Sequence, residues 1–81
     1  MTVQERILLK DTAADLMVKL VKIDAGQALK ARLAAMGLLP GAEFKIINNG
    51  HPGPIVIDFK GSRIVLGRGM AGKISVRPVE K

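Results

Sequence analysis

From Ala42 onward, apolar residues recur at every second position in short runs, and each run is cut by a glycine or a proline. Phe44 and Ile46 alternate with Glu43, Lys45 and Ile47; Ile55, Ile57 and Phe59 alternate with Val56, Asp58 and Lys60. Ile64 and Leu66 alternate with Arg63 and Val65, and Ile74 and Val76 with Lys73, Ser75 and Arg77. A period of two sends successive side chains to opposite faces, so each run is a strand with one buried face and one wet face. The breaks carry turn chemistry. Asn49-Gly50 begins a loop lengthened by His51-Pro52-Gly53-Pro54, Gly61-Ser62 reverses the chain, and Pro78 stops the last run. An earlier run, Leu16 to Ile23, changes phase half-way: Leu16, Val18 and Leu20 fall on one side, Val21 and Ile23 on the other. A bulge near Leu20 reconciles the two.

These five short strands, each with one apolar face, would leave exposed edges as an open sheet. A small closed barrel is the economical solution, and an SH3-like barrel fits the strand count. The expected fold is therefore mainly β, with one short helix between the first and second strands. That helix starts at Asp24-Ala-Gly-Gln27, whose spacing is that of a capping box, the Asp24 carboxylate accepting from the Gln27 N–H and the Gln27 side chain reaching back. Leu29, Leu33 and Met36 come next at i, i+4 and i+7 among helix-forming alanines, so an inward Leu/Met stripe is expected, with Lys30 and Arg32 pointing elsewhere. Gly37 suits the left-handed C′ position, with Leu38 at C″ folding back onto Leu33 at C3. Pro40-Gly41 is the order a type II turn needs at its two central positions. Arg6 to Lys10 reads as a short edge strand or a packed turn, and residues 1–15 are otherwise left unassigned within one domain spanning 1–81.

The chain carries a net charge of +6, which suits an acidic protein, an anionic membrane face or nucleic acid without choosing among them. Nucleic-acid readers commonly stack bases on aromatic rings. Here Phe44 and Phe59 are the only aromatic residues, both in phase with aliphatic neighbours and so assigned to the core, which disfavours a single-strand reader. There is no cysteine, hence no disulfide framework or thiolate metal site, and no run of about 18 apolar residues. A cytoplasmic location is the expectation.

One stretch suggests a nucleotide. Gly67-Arg-Gly-Met-Ala-Gly-Lys73 satisfies both G-x-G-x-x-G and G-x-x-x-x-G-K. Both patterns need a helix after the glycines whose N-terminus faces a phosphate. After Lys73, however, the chain reads Ile-Ser-Val-Arg-Pro, an alternating strand pattern closed by proline, with Ile74 where a phosphate loop needs a hydroxyl. We therefore read Gly67, Gly69 and Gly72 as permitting a short helical turn, Met70 and Ala71 inward, between the last two strands.

The ordered combination of Arg32-Leu-Ala-Ala-Met-Gly-Leu-Leu-Pro-Gly41, Gly53-Pro54-Ile55, Gly61 to Leu66, Met70-Ala71 and Ile74-Ser-Val76 resembles the ferrous-iron transport protein A family (FeoA) over about residues 16 to 79. Where that family has a glycine turn before its first strand, this chain has Ala13-Ala14-Asp15. The resemblance implies an SH3-like barrel acting as a cytoplasmic accessory of the FeoB ferrous-iron permease, a membrane protein with a GTP-hydrolysing domain. The same domain is similar to the C-terminal module of iron- and manganese-dependent repressors.

No enzyme constellation stands out. His51 is the single histidine, a weak metal candidate because a firm site takes three or four ligands, and no metal or cofactor is expected. The acids Asp11, Asp15, Asp24, Glu43, Asp58 and Glu80 are scattered, giving no carboxylate pair for acid–base work. Lys19, Lys22, Lys30 and Arg32 cluster early and Arg63, Arg68 and Lys73 late; they form either a solvated face or a docking surface for an acidic or membrane-proximal partner. Leu38 serves the helix stop, while Leu39 suits the barrel core, the favoured place, or an exposed contact. Candidate partner-binding residues are thus Lys30, Arg32, Leu38, Leu39, Arg63 and Arg68. The expected function is a non-enzymatic adaptor that binds and regulates the permease. A stand-alone regulatory domain of a metal-dependent transcription system is the alternative, and RNA binding a third.

Overall fold

The computed structural model describes residues 6–50 and 52–79. The alternating runs become strands β1 (Ile7–Leu8), β2 (Met17–Ile23), β3 (Glu43–Asn49), β4 (Ile55–Phe59), β5 (Ser62–Leu66) and β6 (Ile74–Pro78). Helix α1 (Gln27–Ala35) joins β2 to β3, and one helical turn, α2 (Arg68–Ala71), joins β5 to β6. The sheet is six-stranded and antiparallel, in the order β1-β6-β2-β3-β4-β5. The five expected strands are present; the sixth is the two-residue β1, and a 3₁₀ turn at Leu9–Asp11 comes after it, so the segment Arg6 to Lys10 is both an edge strand and a packed turn. Leu9 is fully buried, with Thr12 Oγ1 donating to its carbonyl at 2.7 Å. Among the described residues β1 and β5 share no ladder; α2 and the 3₁₀ turn meet across that seam. The barrel is therefore closed by packing there.

The core collects the in-phase residues of β2 to β6, including Val18, Phe44, Ile46, Ile55, Ile57, Leu66 and Val76, together with Leu33 of α1 and Ala71 of α2. Both phenylalanines are buried, as the pattern predicts. The phase change in β2 is a bulge: Leu20 pairs with Val76 and Lys22 with Ser75, leaving Val21 as the extra residue and returning Ile23 to the core. A second bulge, not foreseen, lies in β3, where Ile46 pairs with Ile57 but Asn48 with Val56. It moves Asn49 onto the face of its cross-strand partner Ile55, which is fully buried.

Helix α1 ends as expected and begins differently. The Leu38 N–H donates to Leu33 O and the Gly37 N–H to Ala34 O, both at 2.9 Å, with Gly37 at φ +88, which is the Schellman arrangement. The Ala42 N–H closes on Leu39 O across Pro40 and Gly41 (φ +98), as a type II turn requires. The N-cap, however, is Gly26, with no side-chain cap. Asp24 cannot serve because its N–H is held by Lys73 O at 2.7 Å, which keeps the residue at the end of the β2–β6 ladder, two positions before the cap. Met36 is a second correction: it is 43% exposed, because the helix stops at Ala35 and the chain turns away before a third inward residue is reached. Leu29 is partly buried against the core and Leu33 fully buried.

Two tight turns complete the frame. Lys60 (φ +54) and Gly61 (φ +84) form a two-residue hairpin turn of type I′ between the paired Phe59 and Ser62, one residue earlier than Gly61-Ser62 implies. Asp15 adopts φ +68, its N–H on Ile46 O, so an aspartate takes the left-handed position that a glycine turn would fill.

Candidate functional site

A groove of about 350 Å³ lies in the surface between α1 and β2. One wall is the bulged end of β2, with Val21 and Lys22; the other is the face of α1 carrying Gln27, Lys30, Ala31 and Ala34. Those helix positions are spaced at i, i+3, i+4 and i+7, so they share one face, and the short alanine side chains leave the depth. Leu38 and Ile23, both nearly fully buried, form the apolar bottom. Leu39 and Pro40 close one end. Leu39 is 52% exposed, so the expectation of a core position is corrected: the type II turn directs it outward. The turn is pinned to β2, since the Gly41 N–H donates to Leu20 O and the Leu20 N–H to Ala42 O, each at 2.8 Å.

Lys22 and Lys30 stand on opposite walls, and among the described residues no acid lines the groove. Among the described residues neither lysine makes an ion pair; the pairs present are Lys10 with Asp11 and Lys19 with Glu43, both between exposed or half-exposed side chains. The groove is therefore an apolar trough between two solvated cations. Of the residues singled out in the sequence, it brings together Lys30, Leu38 and Leu39. Arg32 is exposed on α1 but does not line it. Arg63 is exposed on β5, three strands away from β2 in the sheet order.

Arg68 is committed elsewhere. Its guanidinium donates from Nε to Gly53 O (3.1 Å), from Nη1 to Lys10 O (3.3 Å) and from Nη2 to Asn49 Oδ1 (2.6 Å). The Asn49 amide in turn donates to Lys10 O and Thr12 O. This network ties α2, the end of β3, the loop before β4 and the N-terminal turn across the unpaired seam of the barrel. Asn49 was legible in the sequence only as half of a hairpin signal; the β3 bulge gives it this position. The glycine-rich stretch forms the short helical turn expected of it, with Ala71 fully buried and Met70 packed on the core. Its glycines are not sterically demanded: Gly67 and Gly72 sit at φ −64 and −72, and a Cβ on Gly67 or Gly69 would meet open space. His51 lies outside the described residues. Among the described residues no group of three His, Cys, Asp or Glu could hold a metal ion, and no helix is long and apolar enough to cross a membrane.

The family model of the FeoA domain matches residues 7–78, from β1 to the end of β6. The chain belongs to the FeoA family. It is 48% identical over 59 residues to the putative Fe(2+) transport protein A of Methanocaldococcus jannaschii, covering 73% of this chain and 71% of that protein. The crystal structure of an iron uptake regulatory protein (FeoA) superposes with a TM-score of 0.85 at 31% identity, over 93% of this chain and 100% of the other. IdeR of T. acidophilum shares the fold, with a TM-score of 0.81 at 19% identity, over 98% of this chain but 37% of that one. The groove, the Arg68–Asn49 network and the Schellman stop thus belong to a FeoA domain with an SH3-like fold.

Proposed function

We propose that this FeoA-family protein is a non-enzymatic adaptor of ferrous-iron uptake, docking on the cytoplasmic part of a FeoB-type permease and regulating it. The observation that carries this reading is the α1/β2 groove, a preformed apolar recess closed by an exposed leucine and flanked by lysines that form no ion pair among the described residues, in a domain with no metal-holding cluster among them. Such a surface suits recognition of another chain, where an apolar anchor supplies affinity and flanking charge selects the partner. The names of the relatives supply the process, transport of Fe(2+) in one and regulation of iron uptake in another. The partner would hold both the metal and the nucleotide.

The test is a titration of the isotope-labelled protein with the intact, solubilised permease, with GTP alone as control. Loss of amide signals confined to one face, and no change from GTP, is the expected result. An unchanged spectrum with the permease, together with normal Fe(2+) uptake in cells lacking the protein, would refute the proposal. A regulatory module working with a separate DNA-binding chain is the second reading, suggested by the fold shared with a manganese-dependent transcriptional repressor. It predicts co-purification with such a chain instead of the permease.

A further inference from the structure

We infer that the α1/β2 groove takes an acidic peptide segment studded with large apolar residues. Its carboxylates would face Lys22 and Lys30, and one apolar side chain would enter over Ala31 and Ala34 towards Leu38. The inference deepens the adaptor reading and rests on it for the partner's being a protein.

Three features select this occupant. First, the two lysines lie on opposite walls, and neither is neutralised among the described residues, so an extended segment between them meets positive charge on both sides. Charge arranged in this way favours an acidic chain and opposes a basic one. Second, the bottom is apolar and the groove is open along its solvent side. A small inorganic anion would gain nothing from Leu38 or Ile23 and would be left in water, whereas a Leu or Phe on a peptide would bury against them. Third, the end wall is held in place. Leu39 projects from a turn whose Gly41 N–H and Ala42 O are both hydrogen-bonded to Leu20 of β2, so its exposed position costs little to order when the partner arrives.

Competing occupants fit less well. A second copy of this chain carries the same charge of +6 and would be repelled. A bilayer face is flat on this scale and cannot fill a concave recess, although an anionic surface would attract the same lysines.

The experiment uses the full-length protein and two capped peptides, Glu-Leu-Glu-Leu-Glu and Lys-Leu-Lys-Leu-Lys, with phosphatidylglycerol vesicles as a third arm. The Glu/Leu peptide is expected to shift the amides of Val21 to Ile23, Gln27 to Ala34 and Leu39, while the Lys/Leu peptide leaves them unmoved. Reversing both charges, Lys22→Glu with Lys30→Glu, should weaken the Glu/Leu peptide by about tenfold, as expected for two solvent-facing ion pairs lost. Leu39→Ala should weaken it without lowering thermal stability. Equal binding of the two peptides, shifts confined to β4 and β5, or binding to vesicles alone would overturn the inference. The two readings fail separately. If the intact permease binds but its footprint misses the groove, the adaptor survives and this occupant falls. If the Glu/Leu peptide fills the groove and the permease does not bind, the acidic-peptide site survives and the adaptor falls.

Discussion

Replacing Gly37 by alanine separates two costs that usually travel together. The residue sits at φ +88, where an L side chain is strained by about 1–2 kcal/mol. Its Cβ would also lie 2.9 Å from Phe59 Cε2 and 3.3 Å from Phe59 Cζ. The ring is 7% exposed and packed in the core, so it cannot swing into solvent, and the overlap must be relieved by moving core side chains or α1. Overpacking of that kind costs about 1–3 kcal/mol. Gly37→Ala should therefore cost about 2–5 kcal/mol, a large share of the stability of so small a domain. Gly61 provides the control. It has φ +84, yet its Cβ would meet nothing within 4 Å, so Gly61→Ala should show the backbone term alone, about 1–2 kcal/mol. Urea unfolding followed by far-UV circular dichroism suits a chain without Trp or Tyr, and each kcal/mol should move the midpoint by about 1 M. Measuring Gly37→Ala again in a Phe59→Leu background completes the cycle: with the ring edge gone, its cost should fall to that of Gly61→Ala. Equal costs for the two glycine variants in the native background, or no coupling to Phe59, would refute the steric argument.

Other expectations concern the seam, the helix and the decoy. Asn49→Ala strips the donors that hold Lys10 O and Thr12 O and the acceptor for Arg68; urea unfolding should show a loss of about 1–3 kcal/mol, with faster amide exchange around Thr12. Arg68→Lys should not restore what Arg68→Ala loses, because one ammonium cannot span Gly53 O, Lys10 O and Asn49 Oδ1 as the guanidinium does. Asp24→Ala should change stability by no more than about 0.5 kcal/mol by the same assay, whereas a true N-cap would cost about 0.5–2 kcal/mol. Leu33→Ala, at a fully buried position joining α1 to the barrel, should cost about 2–5 kcal/mol in thermal or urea unfolding. GTP added to the labelled protein should leave the amides of Gly67 to Lys73 unshifted, and a saturable shift there would revive the nucleotide motif.

Most of the frame was legible because it rests on local rules. The period-two runs of β3 to β6 and the Gly37-Leu38 stop with its Pro40-Gly41 turn are each encoded by neighbouring residues. So is the phase slip in β2, since a bulge is required when inward residues change parity. Where local rules offered two answers, they failed. The Asp24-to-Gln27 spacing matches a capping box, but Asp24 was already held by Lys73 O, from the turn before β6 far along the chain. The Leu29-Leu33-Met36 pattern continued past the point where the chain turned away, leaving Met36 in water.

The candidate site was legible only in pieces. Lys30, Leu38 and Leu39 were marked as contact residues, but nothing in their order set Lys22 and Val21 of β2 opposite them, and Arg68 looked like surface charge until the fold surrounded it with acceptors. The sequence by itself determined where the strands alternate, how α1 stops and most of the strand residues that lie inside, because backbone sterics and hydrophobic periodicity act over neighbouring positions. Only the tertiary structure decided that Leu39 faces out, that Asn49 faces in, and that two lysines flank one apolar trough. Those outcomes depend on the register between strands and the seating of α1 on β2, set by packing among residues far apart in the chain.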